Sequence, residues 1–272
     1  MTNNEDLKDQ QYSNSDKFNA RIRLHAAFST NPYPWPFWVM DQIEQAQPAK
    51  VLELGGGNGL LWMANASKIP SHWDITVTDY SEGMLNDARN NLSVLNHEIK
   101  FEVINAENIN YPDHTFDIII ANHMLYHVNS REKALSEIKR VLKPSGIFYA
   151  TTVGSRNMLE MKQLVKEFDP DSEYEQVLGA IEANFSLDNG KKQLLSFFTD
   201  VSIVQYEDAL LITESDALVD YVLSCNGLAG GKTVLDPLKA ESFRTFINAK
   251  MDENGGKLHI TKESGMFVSR SL

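Results

Sequence analysis

The stretch "VLELGGGNGLLW", Val51 to Trp62, constrains this chain more than any other. An apolar run of strand character meets three consecutive glycines and passes into a segment of helical character. Such a turn lets the backbone approach a ligand closely and adopt torsions that other residues resist. A phosphate-cradling loop needs GxxxxGK[ST], and no Lys-Ser or Lys-Thr follows here. A dinucleotide fingerprint needs GxGxxG; Gly55 and Gly57 fit, but Leu60 stands where the third glycine belongs. The spacing that does fit is GxGxG, at Gly55, Gly57 and Gly59, with an acidic residue, Glu53, inside the preceding strand. A carboxylate there repels phosphates and tolerates an ammonium or a sulfonium. The turn therefore suits a ligand that lacks a pyrophosphate.

Downstream, strand and helix patterns alternate from Val51 to about Val153. "KVLELG", "DITVTD", "IKFEVINA", "FDIIIANH" and "IFYATTV" read as strands. Between them, "LLWMANASKI", "SEGMLNDARNNLSVL" and "REKALSEIKRVLKPSG" read as helices, the second opened by Ser81 as an N-cap and the third stopped by Pro144 and Gly146. This rhythm predicts right-handed βαβ units and a doubly wound, mostly parallel sheet. In such sheets ligands bind outside the carboxyl ends of the strands, and those ends are polar here. Asp79 closes the second strand, where a carboxylate can accept both ribose hydroxyls. Asn105, Ala106 and Glu107 close the third, where an adenine edge can lie, and "ANHMLYHV" closes the fourth.

The stretches "VLELGGGNG", "DYSEGML", "NAENINYPDHTFDIIIANHMLYHV" and "EIKRVLKPSGIFYAT" together resemble the class I S-adenosylmethionine-dependent methyltransferases, in particular the small-molecule branch called methyltransferase type 11. The resemblance covers roughly residues 50 to 153. It implies an α/β, Rossmann-like fold and S-adenosylmethionine as cofactor, with S-adenosylhomocysteine as product. Glu53, Gly55 and Gly57 would line the methionine part, and Asp79 would bind the ribose hydroxyls. Tyr80 and Met84 would flank the adenine. Asn105 falls where the family often has an aspartate that accepts the adenine amino proton. Ala106 and Glu107 would contribute mainly backbone, and Asn122 would close the site near the methionine amino group. His123, directly after the fourth strand, is a candidate general base.

The implied organisation is a disordered lead-in over 1–17, an N-terminal lid or helical segment over 18–50, and a cofactor-binding α/β core over 51–155. Residues 156–272 would complete the sheet with an antiparallel C-terminal strand and add helical insertions that shape an acceptor pocket. In that last part "DVSIVQYEDALLI" and "KLHITKESGMFVSRS" each read as one strand, and "SRNMLEMKQLVKEF", "EYEQVLGAIEANF", "SDALVDYVLS" and "DPLKAESFRTFINAKMDE" as helices. The segment "NPYPWPF", Asn31 to Phe37, resembles the Asn-Pro-Pro-Tyr signature of enzymes that methylate nucleobase or glutamine amino groups. That signature belongs after the fourth strand, where this chain has "NHML". The expectation is instead an extended, proline-stiffened lid whose Tyr33, Trp35, Phe37 and Trp38 offer aromatic surface. Trp62 and Met63 read as core.

Bulk properties narrow the partners. A formal net charge of −12 disfavours a nucleic-acid substrate. No apolar run approaches the roughly 20 residues that span a bilayer, and the polar "MTNNEDLKDQQYSNSDKF" lacks the basic-then-apolar order of a signal peptide. The expectation is a cytosolic enzyme acting on a small molecule at O, N or C. Cys225 is the single cysteine and reads as buried filler. His123 and His127 have the four-residue spacing of metal pairs. Some quinone-biosynthesis O-methyltransferases, which this loop resembles, use a metal held by carboxylates there. Here His123 and Tyr126 occupy those positions, so no metal is expected. Two other classes remain open: an NAD-dependent oxidoreductase with an unorthodox turn, against which Leu60 argues, and an S-adenosylmethionine-binding protein without turnover.

Overall fold

The computed structural model describes residues 16–44, 49–229 and 231–271. The expected lead-in over 1–17 lies outside them except for Asp16 and Lys17, which open the first described helix. Seven strands form the main sheet: β1 (Ala49–Leu54), β2 (Trp73–Asp79), β3 (Ile99–Val103), β4 (Phe116–Asn122), β5 (Leu142–Val153), β6 (Asp200–Tyr206) and β9 (Ser264–Arg270), in the order β3-β2-β1-β4-β5-β9-β6. The first five run parallel, and β9 lies antiparallel between β5 and β6. The central strands β1 and β4 are buried on both faces, which is why "FDIIIANH" shows no alternation. Strand order reverses between β1 and β4, so the crevice beyond their carboxyl ends is the topological switch point of the sheet.

Two helices of the α/β half begin where a serine side chain caps them. Ser81 Oγ accepts a hydrogen bond from the Met84 amide at the start of α4 (Glu82–Leu92), and Ser130 Oγ one from Lys133 at the start of α5 (Arg131–Val141). The helix after the glycine turn, α3 (Leu60–Ala64), is shorter than its sequence pattern. Asn65 ends it, its amide donating to the Leu61 and Pro36 carbonyls, both at 2.9 Å. "LKPSG" is not helical either. It begins β5, and pairing with β4 jumps from Phe116–Leu142 to Ile118–Ile147. A proline cannot donate to the ladder, so the chain bulges there.

The largest departure from the sequence reading is in the C-terminal half, where each of two expected strands is broken in two. "DVSIVQYEDALLI" divides into β6 and β7 (Ala209–Ile212), and "KLHITKESGMFVSRS" into β8 (Leu258–Thr261) and β9. Both breaks fall at the same level, between Tyr206–Ser264 and Ala209–Thr261, and β7 and β8 leave the sheet as a separate two-stranded ribbon. Asp208 and Lys262 occupy the bend. Their carboxylate and ammonium pair at 2.8 Å, with side chains 0% and 8% exposed. The Asp208 carboxylate also accepts from Ser29 Oγ and from the Thr30, Asn31 and Ala209 amides. It thereby ties the bend to the connector between α1 (Asp16–Phe28) and α2 (Trp35–Gln42).

A third core, apart from the two that flank the sheet, fills a cap made by α1, α6 (Leu159–Phe168), α7 (Tyr174–Asn184), α9 (Ser215–Ser224), α10 (Ala240–Glu253) and the β7–β8 ribbon. The short α8 (Gly190–Leu194) packs against β6. The lid differs from expectation as well. The chain bends at Pro32 and Tyr33, Pro34 is extended before the helix, and Trp35 opens that helix with Pro36 in its first turn, a position that needs no proline N–H. No described helix is long and apolar enough to cross a membrane.

Asp208→Ala leaves the Lys262 ammonium buried without its partner and several amides without their acceptor. It should lower the unfolding free energy by about 3–5 kcal/mol. Urea titration checks this, and a loss below about 1 kcal/mol, the range of surface pairs, would mean the bend does not depend on the pair.

Candidate active site

The glycine turn sits at the switch point. Gly55, Gly57 and Gly59 have φ of 67°, 59° and 80°, the left-handed region that favours glycine. Gly56 has another reason to lack a side chain: a Cβ there would lie 2.6 Å from Val77 Cγ1 and 2.8 Å from Glu53 Oε2. The missing methyl group leaves the room in which the Glu53 carboxylate lies. The turn is laced to β2 by Gly56 N–H donating to Thr78 O at 2.8 Å and by Thr78 Oγ1 donating to Glu53 O at 2.7 Å.

Glu53 is 1% exposed. The Trp62 indole N–H donates to its Oε2 at 2.6 Å, and the Asn122 amide donates to its Oε1 at 3.3 Å. Burial raises its pKa to about 7, against the lowering effect of those two hydrogen bonds. Asp79 ends β2 beside it. Its carboxylate accepts from the Gly57 amide at 3.0 Å and the Ser81 amide at 2.9 Å. Burial raises its pKa too, opposed by the amides of Ser81, Gly57 and Tyr80. Two carboxylates with raised pKa thus flank one glycine turn, an arrangement that favours a cationic ligand.

The remaining sequence-derived residues fall around this pair. Met84 is buried on α4, with its methyl 3.5 Å from the position of a Cβ on Gly57, and Tyr80 is half-buried at the end of β2. Asn105 and Ala106 follow β3. The Asn105 amide oxygen accepts from the Glu107 N–H at 2.9 Å, so it already closes a local turn. The Glu107 carboxylate accepts from the Asn129 and Ser130 amides and fixes the approach to α5. Asn122 ends β4, bridging Glu53 and Thr151: its Oδ1 accepts from Thr151 Oγ1 at 3.2 Å.

His123 has a φ of 48°, and its amide donates to Thr151 Oγ1 at 3.0 Å. Its ring packs 5.1 Å from Trp35, which in turn contacts Trp38 and Tyr206. Burial, reinforced by the charge of Lys262, lowers its pKa to about 4. His127 lies in a single 3-10 turn over Leu125–His127, so the four-residue spacing from His123 is not that of one helix face.

Several residues at the site went unrecognised in the sequence. Trp62 is fully buried, as a core reading requires, yet it also holds Glu53. Its position in the first turn after the glycines was the available signal. Met124 lies against Gly55 and Phe18 of α1 against Gly57. Asn58 donates to Asn19 of α1 at 3.0 Å, so the first lid helix lies over the glycine turn. Nothing in the sequence pairs residues of α1 with that turn.

Known proteins resemble the domain that carries this geometry. A family model described as a methyltransferase domain matches residues 52–150. The ubiquinone/menaquinone biosynthesis C-methyltransferase UbiE of Hydrogenovibrio crunogenus is 37% identical over 98 residues, 35% of this chain and 39% of that protein. The malonyl-[acyl-carrier protein] O-methyltransferase of Geobacter sulfurreducens is 30% identical over 119 residues, 44% of each. The matches thus span less than half the length of these relatives. The YcgJ protein of Bacillus subtilis has a similar fold, with a TM-score of 0.58 at 17% identity over 87% of this chain and 98% of that one. So does phosphoethanolamine N-methyltransferase 2 of Haemonchus contortus, solved with S-adenosyl-L-methionine, with a TM-score of 0.60 at 16% identity over 100% of this chain and 60% of that one. Residues 52–150 thus match a methyltransferase domain, and the sheet that carries them has the Rossmann-like fold of these solved structures.

Because Glu53 has a raised pKa in the folded state, its contribution to stability is fully present below about pH 4.5 and is lost as the pH rises through about 7. Denaturant unfolding should therefore show Glu53→Gln gaining on the parent chain between pH 5 and pH 8, by up to about 1.4 kcal/mol per pH unit. A difference that stays constant with pH would assign Glu53 an ordinary carboxylate pKa.

Proposed function

We propose that this chain is a methyltransferase that moves a methyl group from S-adenosylmethionine to an O, N or C nucleophile of a small molecule. The observation that carries the reading is the buried carboxylate of Glu53 beside the half-buried carboxylate of Asp79, around a left-handed glycine turn at the switch point. That donor set fits a ligand with a cationic amino-acid end and a ribose, and the space left by Gly56 keeps the Glu53 carboxylate free of a Cβ contact. Glu53, Gly55, Gly57 and Asn122 would hold the methionine part, and Asp79 the ribose hydroxyls. Tyr80 and Met84 would flank the adenine, with Asn105, Ala106 and Glu107 at its edge.

The cofactor supplies an activated methyl group, so the chain has chiefly to align a nucleophile and exclude water. Proximity and orientation contribute up to roughly 7–11 kcal/mol. The methyl–sulfur bond breaks as the methyl–nucleophile bond forms, and an O–H or N–H nucleophile becomes far more acidic as it is alkylated. His123, unprotonated at neutral pH with a pKa of about 4, is basic enough to take that proton late in the step. Residues 156–272 and the lid over 18–50 would enclose the acceptor. The acceptor class is a small molecule rather than a nucleic acid, since a net charge of −12 opposes a phosphate backbone. A cytoplasmic location suits this chemistry.

Calorimetric titration with S-adenosylhomocysteine, with NAD in parallel, tests the reading. Micromolar binding of the former and none of the latter is expected. Asp79→Asn should weaken that binding at least tenfold, since its amide nitrogen cannot accept from a ribose hydroxyl. Binding of NAD alone would replace this function with a redox one, and binding of S-adenosylhomocysteine without turnover on any acceptor would leave a binding protein.

A further inference from the structure

The cap core is mostly apolar, yet it encloses polar atoms that the protein does not satisfy. Tyr174 on α7 is 1% exposed, and its phenolic oxygen is buried without a hydrogen-bond partner. The Nδ1 of His25 on α1 is likewise buried without a partner. Buried polar atoms in native proteins are as a rule satisfied by protein, water or ligand. The two belong to one junction. His25 packs edge-on against Tyr221 at 5.7 Å, and Tyr221 and Tyr174 share the cap core. Toward the sheet the same junction reaches the loop after β4. Tyr126 lies 4.5 Å from His127 and 6.4 Å from His123 in ring separation, and α7 packs on that turn.

The electrostatics of the junction run against those of the chain. Arg21, one turn before His25 on α1, donates to Ser224 O at 3.0 Å at the end of α9. Its charge is felt at His25, His127, Tyr221 and Cys225. The carboxylates that bear on the junction, Asp208 and Glu182, are paired with Lys262 and Lys162. Burial together with these cations holds His25 and His127 at a pKa of about 3, so the imidazoles act as neutral hydrogen-bonding groups. In a chain of net charge −12, Arg21 brings a positive charge to the side of this interior where His25, His127 and Tyr221 lie. Capping of α9 by Arg21 and Lys17 accounts for the docking of α1, but it leaves Tyr174 Oη and His25 Nδ1 unexplained.

We propose that this junction is the acceptor pocket and that it takes a small molecule bearing an anionic oxygen group, a carboxylate or a phosphate, held by Tyr174 Oη and His25 Nδ1 beside Arg21. The proposal rests on the methyltransferase reading above. A phenol and a neutral imidazole can both donate to an oxyanion, and the guanidinium charge supplies the sign preference that a neutral or cationic acceptor would not meet.

The test uses the full chain saturated with S-adenosylhomocysteine and four probes on one ring: benzoate, phenyl phosphate, benzamide and benzylamine. At least one anion should raise the melting temperature, and which of the two does so separates carboxylate from phosphate. Benzamide and benzylamine should not. Tyr174→Phe should weaken the anion at least tenfold with the affinity for S-adenosylhomocysteine unchanged, and without ligand it should melt no lower than the parent chain, because the oxygen it removes has no protein partner. The proposal is overturned if neither anion binds, if benzamide or benzylamine binds as well, or if Tyr174→Phe binds the anion as the parent does. Failure of S-adenosylhomocysteine itself to bind would instead overturn the methyltransferase reading on which the proposal stands.

Discussion

A carboxylate buried at the carboxyl end of the central strand is the constraint around which the rest of the site is arranged. Taking Glu53 out of water is costly unless donors replace the solvent, and the fold supplies two, from the helix after the glycine turn and from the end of β4. Those donors fix where Trp62 and Asn122 must stand, and the carboxylate itself excludes any side chain at Gly56. Asp79 then completes the turn from the next strand by accepting the Gly57 amide. The crevice at the switch point therefore presents, on the side of the glycine turn, two carboxylates whose ionised forms a cationic ligand would stabilise.

On the opposite side, geometry depends on a second buried group of the other architecture, the Asp208–Lys262 pair. It bends two paired strands at one level, frees the β7–β8 ribbon from the sheet, and holds the connector between α1 and α2 through three neighbouring residues. Because that connector is anchored, α1 can lie over the glycine turn while α2 places Trp35 on His123. The cap core follows from the same bend, since α1 and the ribbon both contribute to it. The glycine turn and the cap thus meet at one short segment, the loop from Asn122 to His127.

Local patterns carried the α/β half. Strand–helix alternation, glycine spacing and Ser81 as a cap could be read because each depends on neighbours within a few residues. The strand ends were legible for the same reason: once the strands are placed, Glu53, Asp79 and Asn122 must share an edge. The failures were of another kind. "DVSIVQYEDALLI" has the composition of one long strand, and only the partner across the bend, Lys262, shows why it breaks at Asp208. "LKPSG" looks like a helix end and is a bulge because β5 has to pair with β4 from Leu142 onward. Trp62 read as core because an indole N–H bond to a carboxylate leaves no mark on hydrophobic periodicity.

What the sequence alone determined is the doubly wound core and the chemistry of its cofactor edge, since both follow from short-range periodicity and from the residue types at consecutive strand ends. What only the tertiary structure decided is what faces that edge: α1 over the glycine turn, the aromatic contact on His123, and the packing of His25 on Tyr221 at the cap core that also holds Tyr174. Those groups come from segments up to about two hundred residues apart in the chain. Their juxtaposition depends on long-range packing around a buried ion pair, and no local propensity encodes it.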